Sequence, residues 1–329
     1  MRILFVGGTG IISSACSELA VKRGHELHLL VRGNSSSKRR PPAQAILHHA
    51  DVRDLAQTKA ALGNLTFDAV VDFVAFTEDH ITTDLELFGT TTKQLVFISS
   101  ASAYHKPVRY LPITESTPLH NPFWQYSRDK IACEELLFRA YKESGVPVTI
   151  VRPSHTYDKT LLPFDPHGAG TTVLSRIDRE LPVVVHGDGT SLWTLTHHSD
   201  FAVGLVGLLG NPAAIGEAFH ITSDEQLPWN EVVGNIARAA GKTVKIVHVA
   251  SDTIAQEHPG WGAGLLGDKA HSVIFDNSKI KRFVPEFRAQ VPFHQGAREI
   301  VAYYRMHPEL CVVDKDIDAL MDRLVNKYG

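Results

Sequence analysis

Short apolar runs alternate with amphipathic segments over the first half of the chain. The apolar runs predict buried strands at residues 2–6, 26–31, 44–49, 68–75, 94–100 and 147–151. Helical periodicity between them predicts helices at residues 11–23 and 123–144, and a further helix that follows residues 51–54 and ends at Leu62. Strands that alternate with helices form a parallel sheet covered on both faces. This half therefore predicts a doubly wound α/β sheet.

The pattern changes after Arg152-Pro153. Residues 161–170 are rich in Pro, Gly and His and show little periodicity. Further strands are predicted at 182–185 and 218–221, and helices at 199–209, 229–240, 293–306 and 314–328. We therefore predict a Rossmann-type dinucleotide-binding domain over residues 1–153. Residues 154–329 are predicted to form mainly a smaller C-terminal α/β lobe that binds substrate, with some segments returning to the first sheet.

Composition and charge narrow the class of protein. The 329 residues are 43% apolar and 21% charged, as in ordinary globular proteins. The net charge of -3 gives no basic surface for nucleic acid, and the apolar runs are too short to span a membrane. Three distant cysteines favour a reducing, cytoplasmic location. The 18 histidines show no metal-ligand spacing, so no metal site is expected.

A glycine-rich turn joins the first predicted strand to the first helix. Its sequence is Gly7-Gly8-Thr9-Gly10-Ile11-Ile12-Ser13. Glycines allow a tight turn and let backbone N–H groups approach a pyrophosphate at the helix N-terminus. The candidate cofactor-binding residues here are Gly7, Thr9, Gly10, Ile11 and Ile12. Ser13 stands where a third glycine is often found, which brings the helix less close.

The end of the second strand bears on the choice of cofactor. An acidic residue there binds the ribose 2′-hydroxyl of NAD, whereas an arginine accommodates the 2′-phosphate of NADP. This strand ends in Val31-Arg32-Gly33-Asn34-Ser35, without an acid. Arg32 and Ser35 are therefore candidate cofactor contacts, and NADP(H) is slightly favoured. NAD(H) stays open, because basic residues in loops are often only solvated.

Residues after other strands complete the candidate cofactor site. Asp51 and Val52 follow the third strand, where an adenine ring would lie. Asp51 can accept a hydrogen bond from the adenine amine, or it can cap the following helix. The other candidate cofactor contacts at strand ends are Ala75, Phe76 and Pro153.

A tyrosine and a lysine four residues apart supply the candidate chemistry. Tyr126 and Lys130 lie on one helix face, so the ammonium can approach the phenol. A free tyrosine has a pKa of about 10, which a nearby cation lowers. Ser100, at the end of the fifth strand, can hydrogen-bond a substrate oxygen while Tyr126 exchanges its proton. Lys130 can also reach the nicotinamide ribose. We predict Ser100, Tyr126 and Lys130 as the catalytic residues.

Together these motifs resemble a known enzyme superfamily. The glycine turn, the Tyr-Lys pair and Ser100 are accompanied by Phe97-Ile98-Ser99, Arg152-Pro153, Gly187-Asp188-Gly189 and His197-x-x-Asp200. The chain resembles the extended or atypical short-chain dehydrogenases/reductases, in the NAD-dependent epimerase/dehydratase group. The resemblance implies a Rossmann domain, a C-terminal substrate lobe and bound NAD or NADP. Many members of this group form homodimers through a helix pair that includes the Tyr-Lys helix, so the resemblance also implies a possible homodimer.

Departures from the family pattern restrict the substrate. Sugar-nucleotide dehydratases carry Asp-Glu after the catalytic Thr, whereas Ala101-Ser102 follows Ser100 here, so dehydration is not expected. Trp193 stands where many epimerases have a diphosphate-binding Arg, and it can stack on a sugar or other ring, or pack between the lobes. His155 is expected near the nicotinamide side of the cleft. The candidate substrate-binding residues are Ser100, Ser102, Tyr126, His155 and Trp193.

Two functions follow from these features. The leading hypothesis is an NAD(P)-dependent epimerase or oxidoreductase acting on a secondary alcohol or ketone of a small, sugar-like substrate. The alternative is an NADPH-dependent carbonyl reductase of a small or secondary-metabolite ketone, which Arg32 and the missing diphosphate clamp favour. The intact Ser100, Tyr126 and Lys130 argue against an inactive, RNA-binding relative. The sequence does not separate epimerase from reductase.

Overall fold

A parallel sheet of seven strands forms the centre of the computed structural model, which describes residues 1–33, 39–164, 166 and 170–329. In the described part every neighbouring pair of these strands is parallel, in the order β11-β6-β5-β4-β1-β2-β3. The sheet consists of β1 (Arg2–Val6), β2 (Glu26–Val31), β3 (Ile46–His49), β4 (Ala69–Asp72), β5 (Leu95–Ile98), β6 (Val148–Pro153) and β11 (Ala218–Ile221).

Helices cover both faces of this sheet. Side chains alternate along β1, so that Ile3 and Phe5 enter one apolar cluster while Leu4 and Val6 enter another on the opposite face. The helices of the N-terminal half are α1 (Ile11–Lys22), α2 (Leu55–Leu62), α3 (Glu78–Phe88) and α4 (Gln125–Ser144). The predicted doubly wound α/β fold is confirmed.

The strand order reverses next to β1. Strand β1 lies between β2 and β4. The chain therefore adds β2 and β3 on one side of β1 and the later strands of the sheet on the other side. In open α/β sheets, ligands bind outside the carboxyl ends of the strands at such a switch point. The glycine turn after β1 lies at this position.

Most elements of the rest of the chain pack around a third apolar cluster. Its strands are β7 (His155–Tyr157), β8 (Val183–His186), β9 (Leu192–Trp193), β10 (Leu195–His197), β12 (Leu227–Pro228) and β13 (Ile246–Val249), paired β7 with β10, β8 with β13 and β9 with β12. Its helices are α5 (Thr172–Asp178), α6 (His198–Leu208), α7 (Trp229–Ala239), α8 (Ser251–Glu257), α9 (Pro259–Gly264), α10 (Ser278–Phe283), α11 (Phe293–Met306) and α12 (Lys315–Tyr328). A π-helical turn at Leu265–Lys269 follows α9.

Two elements of the second half return to the first. Strand β11 pairs with β6 and extends the central sheet, as the sequence analysis allowed for some segments. Helix α6 packs against α1, and its Phe201 and Leu205 belong to the same apolar cluster as Ile3. The division of the chain at residue 153 stays a prediction. In the described part of the chain, none of the helices combines the length and the apolarity needed to cross a membrane.

A buried ion pair fixes helix α4 to the sheet. The guanidinium of Arg152, on β6, donates to both carboxylate oxygens of Glu134, on α4, with a shortest distance of 2.6 Å from Nη2 to Oε2. The side chains are only 4% and 1% exposed. The Ser99 hydroxyl, just after β5, also donates to Glu134, and Arg152 donates to the Tyr104 hydroxyl at 3.2 Å. The helix is therefore tied to the carboxyl ends of two strands.

Replacing Glu134 by alanine should destabilise the fold strongly. The substitution leaves the Arg152 charge buried without its carboxylate, which typically costs about 3–5 kcal/mol. Urea unfolding followed by circular dichroism measures the change in the free energy of unfolding. Glu135→Ala is the matched control, because Glu135 is the next residue of α4 and is exposed. Equal stability of the two variants would show that the ion pair does not hold the helix.

Candidate functional site

The glycine turn after β1 is closely packed. Gly7 has a φ of +83°, and a Cβ there would lie 2.5 Å from Val74 Cγ1. A Cβ at Gly8 would lie 2.4 Å from Leu29 Cδ2. Side chains are therefore excluded at both positions, because the backbone approaches its neighbours too closely.

Ser13 closes this turn from inside. Its hydroxyl donates to the Gly7 carbonyl oxygen at 2.6 Å and accepts from the Gly10 N–H at 2.7 Å. The serine that stands in place of a third glycine thus holds the turn together through two hydrogen bonds. It also means that the Gly10 N–H is already paired within the protein.

The start of α1 fits the pyrophosphate of a dinucleotide. Gly10 is exposed, and a Cβ there would meet only the Ser13 hydroxyl within 4 Å, at 3.2 Å. The first N–H groups of a helix have no partner within the helix, and they attract anions. Thr9, Ile11 and Ile12 are half-buried around this opening. Since the Gly10 N–H is occupied, Ile11 and Ile12 are the residues that would donate to a phosphate.

The residues predicted to read the ribose and the adenine lie at the ends of β2 and β3. Arg32 is exposed, and Ser35 lies outside the described residues. Asp51 is half-buried and Val52 is buried. The alternative role of Asp51 as a helix cap is wrong: Asp54 caps α2, because its carboxylate accepts from the first turn of that helix.

Lys130 is buried against the ends of β4 and β5. Its ammonium donates to the carbonyl oxygens of Ala75 at 2.6 Å and of Ile98 at 2.8 Å. The rings of Phe76 and Phe97 each have their centres 4.7 Å from Nζ. Burial lowers the pKa of Lys130 to about 8. The lysine predicted from the Y-x-x-x-K spacing is therefore buried at the carboxyl edge of the sheet.

Tyr126 lies next to a chain of hydroxyl groups. The Ser100 side chain is close enough to the Tyr126 phenol to lower its pKa. The Ser100 hydroxyl lies 2.9 Å from that of Ser102, to which Ser127 donates at 2.8 Å. Ser100, Ser102 and Tyr126 are thus brought together as predicted. Ser127 was not predicted, because its role depends on how the helix faces the loop after β5.

The electrostatics of the tyrosine differ from the prediction. Burial raises the pKa of Tyr126, and the carboxylate of Asp268 raises it further, whereas the hydrogen bond to Ser100 lowers it. The expectation that Lys130 lowers this pKa is wrong for the chain alone. The ammonium lies 5.8 Å from the centre of the Tyr126 ring and is satisfied by backbone carbonyls. Tyr126 is therefore a neutral phenol at neutral pH.

A cavity of about 380 Å³ lies beside this tyrosine. Trp124 lines it, and the Trp124 ring centre is 5.0 Å from that of Tyr126. Other described residues of its wall are Phe164, Trp229, Trp261 and Lys269. Trp124 connects the cavity to Tyr126, which is not itself among the described lining residues, and this makes the cavity the candidate substrate pocket.

His155 and Trp193 have different positions relative to this cavity. His155 follows the buried Pro153 at the end of β6 and lines the cavity, and burial lowers its pKa to about 3, so the ring is neutral. Trp193 is 1% exposed and packs its ring against Trp229, with 5.1 Å between ring centres. Of the two roles predicted for Trp193, the structure therefore favours packing, because the buried ring presents no face to a ligand.

Sequence reasoning missed the π-helical turn at Leu265–Lys269. Asn121 attaches it to the candidate site, since its side-chain amide donates to the Ser102 carbonyl at 2.8 Å and to the Gly267 carbonyl at 2.7 Å. Gly267 packs on Trp124, whose Cβ would be 2.7 Å from a Cβ at Gly267. No periodicity marks this turn, because it depends on contacts with distant residues. The chain has only four tryptophans, and these residues were the sequence signal that could have pointed to this region.

The chain is similar to known proteins in sequence and in fold. The chain is 27% identical over 259 residues to chloroplast stem-loop binding protein of 41 kDa b from Arabidopsis thaliana, covering 75% of the chain but only 65% of that protein. It is 25% identical to 2′-dehydrokanamycin reductase from Streptomyces kanamyceticus, covering 88% and 80% of the two chains. The structure of dTDP-glucose 4,6-dehydratase from Bacillus anthracis in complex with NAD superposes with a TM-score of 0.74 at 20% identity, covering 94% and 98%.

The match to a family model extends over most of the sheet and the candidate site. The model of the NAD dependent epimerase/dehydratase family matches residues 3–222. This range includes the glycine turn, the Tyr-Lys helix and strand β11. The chain therefore belongs to the NAD dependent epimerase/dehydratase family.

Proposed function

We propose that this protein is an NAD(P)-dependent oxidoreductase that interconverts a ketone and a secondary alcohol, with Tyr126 as the proton carrier. The observation that carries the proposal is the buried Lys130 ammonium at the carboxyl edge of the sheet, 5.8 Å from the centre of the Tyr126 ring and near a cavity. Ligands of open α/β sheets bind at this edge.

The residues suggest a division of roles. In the reductive direction, Tyr126 gives its proton to the carbonyl oxygen as hydride reaches the carbonyl carbon, and C=O becomes CH–OH. Ser100 hydrogen-bonds the same oxygen, and Lys130 can contact the nicotinamide ribose. With its pyrophosphate held at the glycine turn, NAD(P)H would supply the hydride, and NAD(P) would accept it in the reverse direction. Ser102 and Ser127 hold the Ser100 hydroxyl in place.

The state of Tyr126 supports the reductive direction. A neutral phenol is already the acid that ketone reduction requires, whereas alcohol oxidation requires a base. The similarity to 2′-dehydrokanamycin reductase also supports a reductase. An epimerase acting on a sugar-like substrate remains the alternative that the family supports, since it would use the same residues in both directions.

Dehydration and nucleic-acid binding are less well supported. Ala101 and Ser102 follow Ser100, so there is no neighbouring Asp-Glu pair for water loss. The similarity to a stem-loop binding protein raises the second function. The net charge of -3 and the assembled Ser100, Tyr126 and Lys130 favour catalysis instead.

Replacing Tyr126 by phenylalanine tests the proposed function. The variant lacks only the proton carrier, so turnover should fall by roughly 100- to 10,000-fold. Cofactor affinity is measured by calorimetry with NADH and NADPH. It should stay within about a factor of two of the parent value, because the phenol contributes little to the binding of the cofactor. Tyr110→Phe is the control, because Tyr110 is 82% exposed. Turnover of Tyr126→Phe at the parent rate would remove Tyr126 from the reaction.

The preference for NADP(H) stays a prediction that depends on Arg32. Arg32→Asp should shift the ratio of dissociation constants towards NAD(H) by about tenfold or more, because a charge-assisted contact with the 2′-phosphate is replaced by repulsion. Arg323→Asp on α12 makes the same change of charge at an exposed position of the C-terminal half and should leave the ratio unchanged. An unaltered ratio in Arg32→Asp would show that Arg32 does not contact the 2′ position.

The release of nucleotide on unfolding separates epimerase from reductase. An epimerase returns the hydride within one turnover and can retain its cofactor, whereas a reductase must exchange it. We expect the freshly purified protein to release little nucleotide when it is denatured, as measured by mass spectrometry. One equivalent of NAD or NADP freed only by unfolding would favour the epimerase.

A further inference from the structure

Aromatic side chains dominate the cavity next to Tyr126. Trp124, Trp229 and Trp261 line it, and Trp193 packs directly behind Trp229. These are all four tryptophans of the chain. Proline, leucine and phenylalanine side chains, at Leu161, Pro163, Phe164, Pro166 and Leu265, complete most of the described wall. Such a surface binds flat, apolar rings by stacking.

The described wall offers few free hydrogen-bonding groups. It contains no Asn, Gln, Ser, Thr, Asp, Glu or Arg. Two of its polar groups are already used, since His186 Nε2 and Trp229 Nε1 both donate to the backbone carbonyl oxygen of Lys269, at 2.9 Å and 3.1 Å. Each sugar hydroxyl that is buried in such a site without a hydrogen-bond partner makes the free energy of binding less favourable. The described wall therefore suits an aromatic ring better than a sugar.

Lys269 is the one charged residue of this described wall. Its ammonium lies 5.6 Å from the ring centre of Trp124 and 5.8 Å from that of Trp193. The neighbouring Asp268 is paired with the buried Lys106, with 3.3 Å between Nζ and Oδ1. The carboxylate of Asp268 is thus paired with Lys106. Burial lowers the pKa of Lys269 and Asp268 opposes this, so the ammonium is the positive group that the described wall offers to an anion.

The histidines of the wall add no charge. Burial lowers the pKa of His155 to about 3 and that of His186 to about 4, so both rings are neutral near pH 7. Among the described wall residues, a ligand in this cavity therefore meets one cation. One carboxylate matches that charge, whereas the diphosphate of a sugar nucleotide brings at least two negative charges.

The backbone holds Lys269 in a fixed position. Besides His186 and Trp229, the Ser191 hydroxyl donates to its carbonyl oxygen, at 3.3 Å. The residue ends the π-helical turn, a rare geometry that is frequent at functional sites. The turn directs Lys269 towards the tryptophans while Asp268 meets Lys106. The position of the cation is therefore built into the fold.

We propose that the substrate is a small aromatic ketone or alcohol that carries one carboxylate. Lys269 binds the carboxylate, the tryptophans enclose the ring, and the ketone faces Tyr126. The distances suit one ring, since the Lys269 ammonium and the Tyr126 ring lie 5.6 Å and 5.0 Å from the centre of the same Trp124 ring. The assignment rests on the proposed function for the reaction, but the binding of the anion is testable by itself.

Two ketones that differ only in charge test the proposal. 4-Acetylbenzoate and 4-acetylbenzamide are titrated by calorimetry into the full-length protein saturated with oxidised cofactor. We expect the benzoate to bind at least about tenfold more tightly, because it gains a charge-assisted hydrogen bond. Lys269→Met should abolish this preference and Lys269→Arg should retain most of it. Lys245→Met, at an exposed lysine of the same half, should leave it unchanged.

The outcomes separate this proposal from the proposed function. Equal affinity of the parent protein for the two ketones, or an unchanged preference in Lys269→Met, would overturn the anion site. Tighter binding of UDP-glucose than of 4-acetylbenzoate would also overturn it. Tyr126→Phe should bind the benzoate as the parent does without reducing it. Lys269-dependent binding with no reduction by the parent protein supports the anion site and counts against the proposed reaction.

Discussion

The buried pair of Glu134 and Arg152 holds the candidate chemistry together. Helix α4 carries Tyr126 and Lys130, and this ion pair joins the helix to β6 while Ser99 joins it to the end of β5. A buried pair contributes little net stability compared with apolar packing, but the loss of one partner is costly. The pair therefore sets where α4 lies along the sheet more than how stable the fold is, and the position of the tyrosine follows from it.

Burial then sets the chemistry of both α4 residues. Lys130 gives up water for two backbone carbonyls and two aromatic rings, which lowers its pKa. Burial raises the pKa of Tyr126, and Ser100 offsets only part of this rise. Desolvation disfavours the charged form of each group, so the ammonium is weakened and the phenol stays neutral. A pair expected to produce a phenolate is instead a neutral phenol near an ammonium that backbone carbonyls satisfy.

Most of the described wall of the candidate substrate pocket comes from the other half of the chain. The turn at Leu265–Lys269 is bound through Asn121 to the loop that carries Ser102, so the cavity wall and the proton chain share one support. A family that includes sugar-nucleotide enzymes thus presents here a cavity rich in tryptophan with one lysine. The same sheet and Tyr-Lys helix serve different substrates, because function depends on the site and not on the fold.

Local sequence was enough to determine the sheet, the glycine turn and the Tyr-Lys pair. Strand alternation and i, i+4 spacing are short-range patterns, so β11 and α11 were predicted with their observed bounds, and Ser100 and Tyr126 were predicted to meet. Only the tertiary structure determined that Asp54 and not Asp51 caps α2, that Trp193 is buried, and that Lys269 reaches the cavity. Burial and contacts between residues far apart in the chain decide these features, and so they also decide the pKa of Tyr126.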